Sequence, residues 1–442
     1  MKTQNSAQTV IWLDRVALIA TLLTPLLLMH GHAIADGLIG VADLCFLWRC
    51  TMTRDWDWLR TAWVRVGLAW WGWVLICSLP IPALGLGPGG MGPLVLTLTN
   101  LRFLVFAAAL EHVVLREPHA RRWLWQVLAA CVVWIAGSSL IQFIFGRNLF
   151  GFPPGGDGEL TGPFGMPRAA PPLSRILLPV LLPLAVQMLA VQMLARRKLA
   201  ATIAAYAILL GGVCIMVLIG QRMPMLLTVF GLAVAGLLLP QLRPVVATAL
   251  AAGTALLAAT AVISPPTYYR LVDKFSAQMA HFASSDYGQV YTRAFEMGRQ
   301  NPVVGLGYDG YRHFCANPGY FRPTFDGAIA NGGGAAICYQ HPHNFYAQAL
   351  VEGGFPGLIL FCLLAIAWLA PLARGLWRQP DALRVGLFAA ILIQLWPLAS
   401  TSAFTSMPMG GWFFLLLGWA MAESRWAGPG VAGPGVAGPV PA

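Results

Sequence analysis

The sequence predicts an all-α polytopic membrane protein of about twelve transmembrane helices with one large external loop, on three observations. Of its 442 residues, 58% are hydrophobic and only 10% are charged, against about a quarter charged in a soluble domain. A large core cannot account for that deficit, because a globule must still cover its surface with polar groups. The apolar residues run continuously rather than alternating with polar ones, which excludes a porin-type barrel. The 22 Phe, 17 Trp and 10 Tyr suit aromatic belts at a lipid–water boundary. The same composition excludes a disordered chain and a disulfide-knit mini-protein.

A spanning helix requires about 20 apolar residues. Runs of that kind centre near Ala20, Gly40, Ala69, Phe103, Val133, Leu184, Leu209, Gly231 and Ala255, then near Leu360, Ile393 and Leu416. Residues 16–29 followed by Ala33-Ile34-Ala35 resemble a signal peptide with its cleavage site, but Asp14 and Arg15 crowd the apolar run and favour a retained span. The chain therefore divides into about nine spans in residues 1–263, a large loop over 264–342, about three spans in 343–425 and a low-complexity tail over 426–442.

A net charge of +11 could signal nucleic acid, yet the basic residues lie between the apolar runs. Arg-rich loops (Arg49, Arg54 and Arg60; Arg116, Arg121 and Arg122; Arg196, Arg197 and Lys198; Arg243; Arg374, Arg378 and Arg384; Arg425) alternate with Arg-poor ones. The positive-inside rule places the rich set and both termini in the cytoplasm. It leaves no nucleic-acid partner and makes the lipid bilayer the chain's solvent. The opposite face receives the Gly/Pro-rich stretch 146–172 and the loop 264–342, and connections of such length tend to be functional. Periodicity over residues 268–299 (Leu271, Phe275, Met279, Phe282) predicts short helices, a break at Asn301-Pro302, and ordered loop from 315 to 340.

Of the 8 Cys, Cys45, Cys50, Cys77, Cys131, Cys214 and Cys362 lie in or beside spans and read as small apolar packing. Cys315 and Cys338 lie in the external loop, where an oxidising compartment would let them pair and staple it. Gly305-Leu306-Gly307-Tyr308-Asp309-Gly310 matches a dinucleotide fingerprint in letters only. It lacks the flanking strand and crossing helix, so a turn is expected. His341 and His343 could share a metal, but Asp326 is the nearest upstream carboxylate and no third ligand stands close in sequence. A single catalytic His at the mouth of a span, with no metal and no cofactor, is the simpler reading.

Arginines carry the more specific signal. Arg222 stands between two long apolar runs, Arg270, Arg293 and Arg299 follow in the external loop, and Arg102 falls inside the fourth run, where the alternative is snorkelling to headgroups. Guanidinium forks suit phosphate oxygens. Several of them beside one His, outside the membrane, point to ATP-independent transfer from an activated anionic lipid. Glu352, nine residues after His343 and on the opposite helical face, reads as a packing or lipid-edge carboxylate.

His343-Asn344 followed by Gly354-Phe355-Pro356-Gly357 resembles the His-containing motif of the O-antigen ligase and polymerase superfamily. Gly220-Gln221-Arg222, Arg293 with Asn301-Pro302-Val303-Val304-Gly305-Leu306-Gly307, and the large loop before the His agree with it. So does Leu160-Thr161-Gly162-Pro163-Phe164 in the first external loop, whereas Pro224, close after Arg222, departs from the pattern. The resemblance implies a C-type glycosyltransferase fold in the bacterial inner membrane, with its active site facing the periplasm. It implies a glycan donor on undecaprenyl pyrophosphate and, for a ligase of lipopolysaccharide biosynthesis, a lipid A–core acceptor. By position, His343 would be the base, with Arg222, Arg293 and more weakly Arg270 on the pyrophosphate. A polymerase or a protein O-oligosaccharyltransferase would share the donor; the chain shows no C-terminal soluble domain of the kind larger protein-glycosylating relatives carry, which favours the ligase. A lipid-linked glycan transporter fits the span number, but no half-to-half repeat is visible.

Overall fold

The computed structural model describes residues 2–156, 158–194, 198–322, 334–400, 403 and 406–426, and among these there is no strand. Arg196, Arg197, Asp326 and the tail from residue 427 lie outside the described residues. Nine long helices come first: α1 (Lys2–His30), α2 (His32–Thr53), α3 (Ala62–Cys77), α4 (Met91–Ala109), α5 (Pro118–Phe145), α6 (Ala170–Leu194), α7 (Lys198–Ile219), α8 (Arg222–Leu238) and α9 (Arg243–Ile263). The loop contains α10 (Pro265–Tyr268), α11 (Lys274–Ala280), α12 (Asp286–Gln300) and α13 (Gly310–Phe314). Three helices close the series: α14 (Phe345–Ala373), α15 (Ala382–Leu395) and α16 (Met409–Trp426).

Every predicted apolar centre falls inside one of these helices. Seven are long and apolar enough to cross a membrane (α1, α4 with its following turn, α5, α6, α7, α9 with its preceding turn, and α14). Three more, α3, α8 and α15, are apolar but shorter. The chain is therefore a polytopic, helical membrane protein. Helix α16 is its axis: residues 410–423 are buried without interruption, as a helix surrounded by other helices requires. It packs on α4, α14 and α15. One end of this axis is polar. There the carboxylate of Glu111, in a π-helical turn after α4, accepts from Trp63 Nε1 at 2.7 Å and Arg425 Nε at 2.8 Å, while Arg121 pairs with Glu423 at 3.1 Å.

Arg102 does not reach for headgroups. Its Nε donates to Asp36 at 2.7 Å and its guanidinium lies 4.5 Å from the Phe103 ring centre. Pro224 is accommodated because it falls in the first turn of α8, where a backbone N–H has no intrahelical partner to lose. The ordered loop expected over 315–340 contains two short 3₁₀ turns, Pro318–Tyr320 and Gly334–Ile337.

At the loop end, α14 is interrupted. Gly354 has φ 63° and ψ −162°, a combination essentially restricted to glycine. Pro356 has no N–H to offer the carbonyl of Glu352, and Phe355 N turns outward to donate to Pro302 O at 2.8 Å. The carbonyls of Val351 and Glu352 are thereby freed, and the loop takes them: Leu306 N donates to Val351 O at 2.8 Å and Gly307 N to Glu352 O at 3.0 Å. Asp309 N donates to the Glu352 carboxylate at 3.1 Å and Tyr308 N to Ser78 Oγ at 2.9 Å. A Cβ on Gly305 would stand 2.6 Å from the Glu352 carbonyl, and one on Gly354 would stand 2.5 Å from Pro302 O. Helix α3 joins the same point through Trp73 Nε1, which donates to Gly353 O at 2.8 Å.

Gly354→Ala is expected to lower the stability of the full chain by about 1–3 kcal/mol through the forbidden backbone geometry alone, and further through the clash. Gly37→Ala, in open space within α2, should leave it unchanged or slightly raised. Melting midpoints of the two variants in one detergent test this, and equal midpoints would remove the interlock as a stabilising feature.

Candidate active site

His343 sits one residue before the N-cap of α14. Asn344 makes that cap, its Oδ1 accepting from Tyr346 N and Ala347 N at 3.0 Å each, while its Nδ2 donates to Pro397 O at 2.7 Å. The cap fixes the chain entering α14 and ties it to the α15 end. His343 itself has φ 54°, a left-handed conformation that is uncommon outside glycine.

The His343 imidazole is enclosed by rings. Tyr287 of α12 lies 5.8 Å away between centroids, Tyr339 5.4 Å and His341 4.5 Å, all edge-on. Burial pushes the His343 pKa below the ordinary histidine value. Burial, and then the neighbouring His343, push His341 down to about 4. Both imidazoles are thus neutral near pH 7, the form in which a ring nitrogen can accept a proton. His341 Nε2 is buried without a hydrogen-bond partner among the described residues. Among those residues no three His, Cys, Asp or Glu gather closely enough to hold a metal.

Arg293, on α12, is among the most completely buried large side chains, 2% exposed. Its Nη2 donates to Gly334 O at 2.9 Å, its Nη1 to Cys315 O, and its guanidinium lies 4.2 Å from the Phe321 ring centre. Cys315 and Cys338 are joined by a disulfide, and Arg293 Nη1 lies 3.8 and 3.7 Å from the two sulfurs. This guanidinium braces the stapled loop from within. Arg222 opens α8 after Gly220, which takes φ 79°, and donates to Gln278 of α11. Arg270 is paired with Glu159 in the loop between α5 and α6, the first of the two long loops. The three arginines therefore have different partners: Arg222 is engaged with α11, Arg270 with the first loop, and Arg293 with carbonyls beside the disulfide.

The first loop is itself organised by side chains. Gln142 receives Thr161 N at 2.7 Å and donates to Thr161 Oγ1 at 2.9 Å, Asn148 Nδ2 donates to Gly162 O at 2.7 Å, and Leu160 N reaches Ile219 O at 3.2 Å. Gln221 Nε2 donates to Pro167 O at 3.0 Å, which sets this loop beside Arg222. A cleft of about 820 Å³ opens between the α1–α2 turn, the first loop, and the turn before α16, and His341 forms part of its wall.

Several of these residues escaped sequence reading. Glu352 is not a lipid-edge carboxylate but a buried anchor, 1% exposed, that also accepts from Gln348 at 2.9 Å. Tyr287 and Tyr339 carried no motif, and their only signal was a tyrosine on each side of the disulfide segment. Arg299 pairs with Glu296 at 2.7 Å, a local helical pair.

Residues 205–362 match a family model described as O-antigen ligase, which supports the O-antigen ligase and polymerase superfamily as this chain's relatives. Arg222, Arg270, Arg293, Cys315, Cys338 and His343 all fall within the matched residues. No curated protein matches the chain.

Arg222→Ala should leave the melting midpoint near that of the parent chain, because only a half-exposed amide loses its partner. Arg293→Ala strips two buried carbonyls of their donors and should cost roughly 1–3 kcal/mol for each group left unsatisfied. Parallel melting curves check this, and a reversed order would contradict the bracing role of Arg293.

Proposed function

We propose that this protein is an O-antigen ligase: it transfers a glycan from undecaprenyl pyrophosphate to a lipid A–core acceptor on the periplasmic face of the inner membrane, with twelve crossings and both ends in the cytoplasm. The observation that carries the reading is His343, neutral and ring-enclosed immediately before the cap of α14, inside the residues that match the ligase family.

In the proposed reaction the acceptor hydroxyl attacks the anomeric carbon of the donor glycan while His343 takes the hydroxyl proton. The bond from that carbon to the pyrophosphate oxygen breaks, and the pyrophosphate leaves with the electron pair. Attack opposite the leaving group inverts the anomeric centre in one step. General-base help of this kind is worth about 10²–10⁴-fold. The growing negative charge on the leaving group calls for prepositioned cations. Arg222 is the proposed contact, since it is half-exposed and, among the described residues, its guanidinium is held by the Gln278 amide. Arg270 would join it by exchanging Glu159 for phosphate, and Arg293 would contribute by keeping the disulfide loop, and with it Tyr339, against His343.

The test is glycan transfer by the purified full chain in nanodiscs, with undecaprenyl-pyrophosphate glycan, rough lipopolysaccharide and EDTA. Wild type should transfer, and His343→Ala should lose about 10²-fold or more. Activity retained by the variant would remove His343 as base, and a retained anomeric configuration would remove the single displacement. Elongation on the lipid donor in place of transfer to lipopolysaccharide would make the protein a polymerase. A histidine whose folded pKa lies below its free value stays neutral as pH falls past 6.5. The acid limb of the transfer rate should therefore lie below pH 6.5. A limb at or above 6.5 would contradict the burial of this base.

A further inference from the structure

The cleft beside His341 holds a basic group that the proposed chemistry has not used. Its wall is apolar and aromatic, with Phe150, Phe152, Phe164, Met407 and Trp412, and its basic members are His30, His32, Arg168 and His341. No carboxylate lines it among the described residues. Arg168 is exposed and makes no ion pair among the described residues, although the other arginines at the loop end are engaged: Arg147 with Gly151, Arg222 with Gln278, Arg270 with Glu159, Arg293 with two carbonyls, Arg312 with Asp309, and Arg299 and Arg322 with Glu296.

Arg168 is also held in place. Gln221 holds the carbonyl of Pro167 immediately before it, and Asn148 Nδ2 holds Phe164 O at 3.0 Å, so the backbone leading into Arg168 is anchored, and α6 begins two residues after it. Gln221 and Arg222 lie against the same stretch, yet Arg222 does not line the cleft. The first loop thus borders two basic surfaces, one at Arg222 of α8 and one at its own Arg168. His341, whose ring sits 4.5 Å from His343, connects the second surface to the base.

Resting on the ligase reading, we propose that this cleft is the acceptor subsite: its apolar wall takes the membrane-anchored part of a phosphorylated glycolipid, and Arg168, with His30 and His32 beside it, binds the phosphate. An amphiphile with a phosphate at its lipid–sugar boundary matches a lining that combines apolar rings with an exposed guanidinium. A guanidinium fork fits phosphate oxygens bidentately, and a cleft without carboxylates concentrates the positive potential. The acceptor hydroxyl would then approach His343 past His341, while the donor's pyrophosphate stays on the Arg222 side of the loop.

Arg168→Gln in the full chain tests the assignment, because an exposed arginine can be replaced without unfolding and an unchanged melting midpoint would verify it. Native mass spectrometry from nanodiscs would measure retention of rough lipopolysaccharide, the same material after phosphatase treatment, and undecaprenyl pyrophosphate. The expected result is retention of rough lipopolysaccharide weakened roughly 10-fold or more, with dephosphorylated material and undecaprenyl pyrophosphate unaffected. In transfer kinetics the acceptor KM should rise with kcat unchanged, and Arg168→Lys should recover part of the loss. Equal retention by variant and wild type, failure of wild type to retain rough lipopolysaccharide, or a selective loss of undecaprenyl pyrophosphate would overturn the assignment. A wild-type chain that retains rough lipopolysaccharide through Arg168 but never glycosylates it would end the ligase reading while leaving the binding site in place.

Discussion

A helix that breaks within an apolar stretch must satisfy the carbonyls it strands, and the loop end of this protein is organised around that obligation. Gly354 and Pro356 interrupt α14, leaving Val351 and Glu352 without their usual acceptor bonds. The N–H groups of Leu306 and Gly307 fill them. A stranded peptide carbonyl in a water-poor setting costs several kcal/mol, so the loop and the break stabilise each other. The glycines at 305 and 354 are what allow two backbones to approach this closely.

From this interlock the rest of the site follows by short steps. The turn 305–309 holds α12 and α13 against α14, and α12 carries Tyr287 to one side of His343. The disulfide, braced by the buried Arg293, holds the segment that carries Tyr339 to another. Asn344 starts α14 where His343 is forced into a left-handed conformation. An imidazole enclosed in this way stays neutral near pH 7, the state that the proposed general-base role needs. The opposite, Arg-rich end of the bundle is closed by Glu111 with Trp63 and Arg425, and plays no part in that geometry.

Much of this was legible in the chain. Continuous apolar runs marked each long helix, because lipid demands apolar surface over the whole circumference of most spans. Asn301 to Gly307 and Gly354 to Gly357 were visible as two separate strings, but not as one contact, since backbone hydrogen bonds between distant segments leave no periodicity. Glu352 was misplaced for a related reason. Counting helical turns from His343 assumes that its partner lies on the same helix, whereas its partners include the backbone of Asp309 in the loop. Arg293 was noticed as a cation, yet its acceptors are carbonyls of residues 315 and 334, whose position depends on the fold of the loop. Arg168 sat unremarked among glycines and prolines, and only the shape of the cleft gives it meaning.

The central claim, that the loop is locked onto the broken helix, is open to direct measurement by hydrogen exchange on the full chain in nanodiscs. The amides of Leu306, Gly307, Asp309 and Phe355 each donate to a partner across the interlock, so they should exchange slowly, together, and at a rate comparable with the helical amides of α12. Rapid exchange at residues 306–309 while α12 stays protected would show that the loop is not held by Val351 and Glu352, and the account of how His343 is positioned would fail.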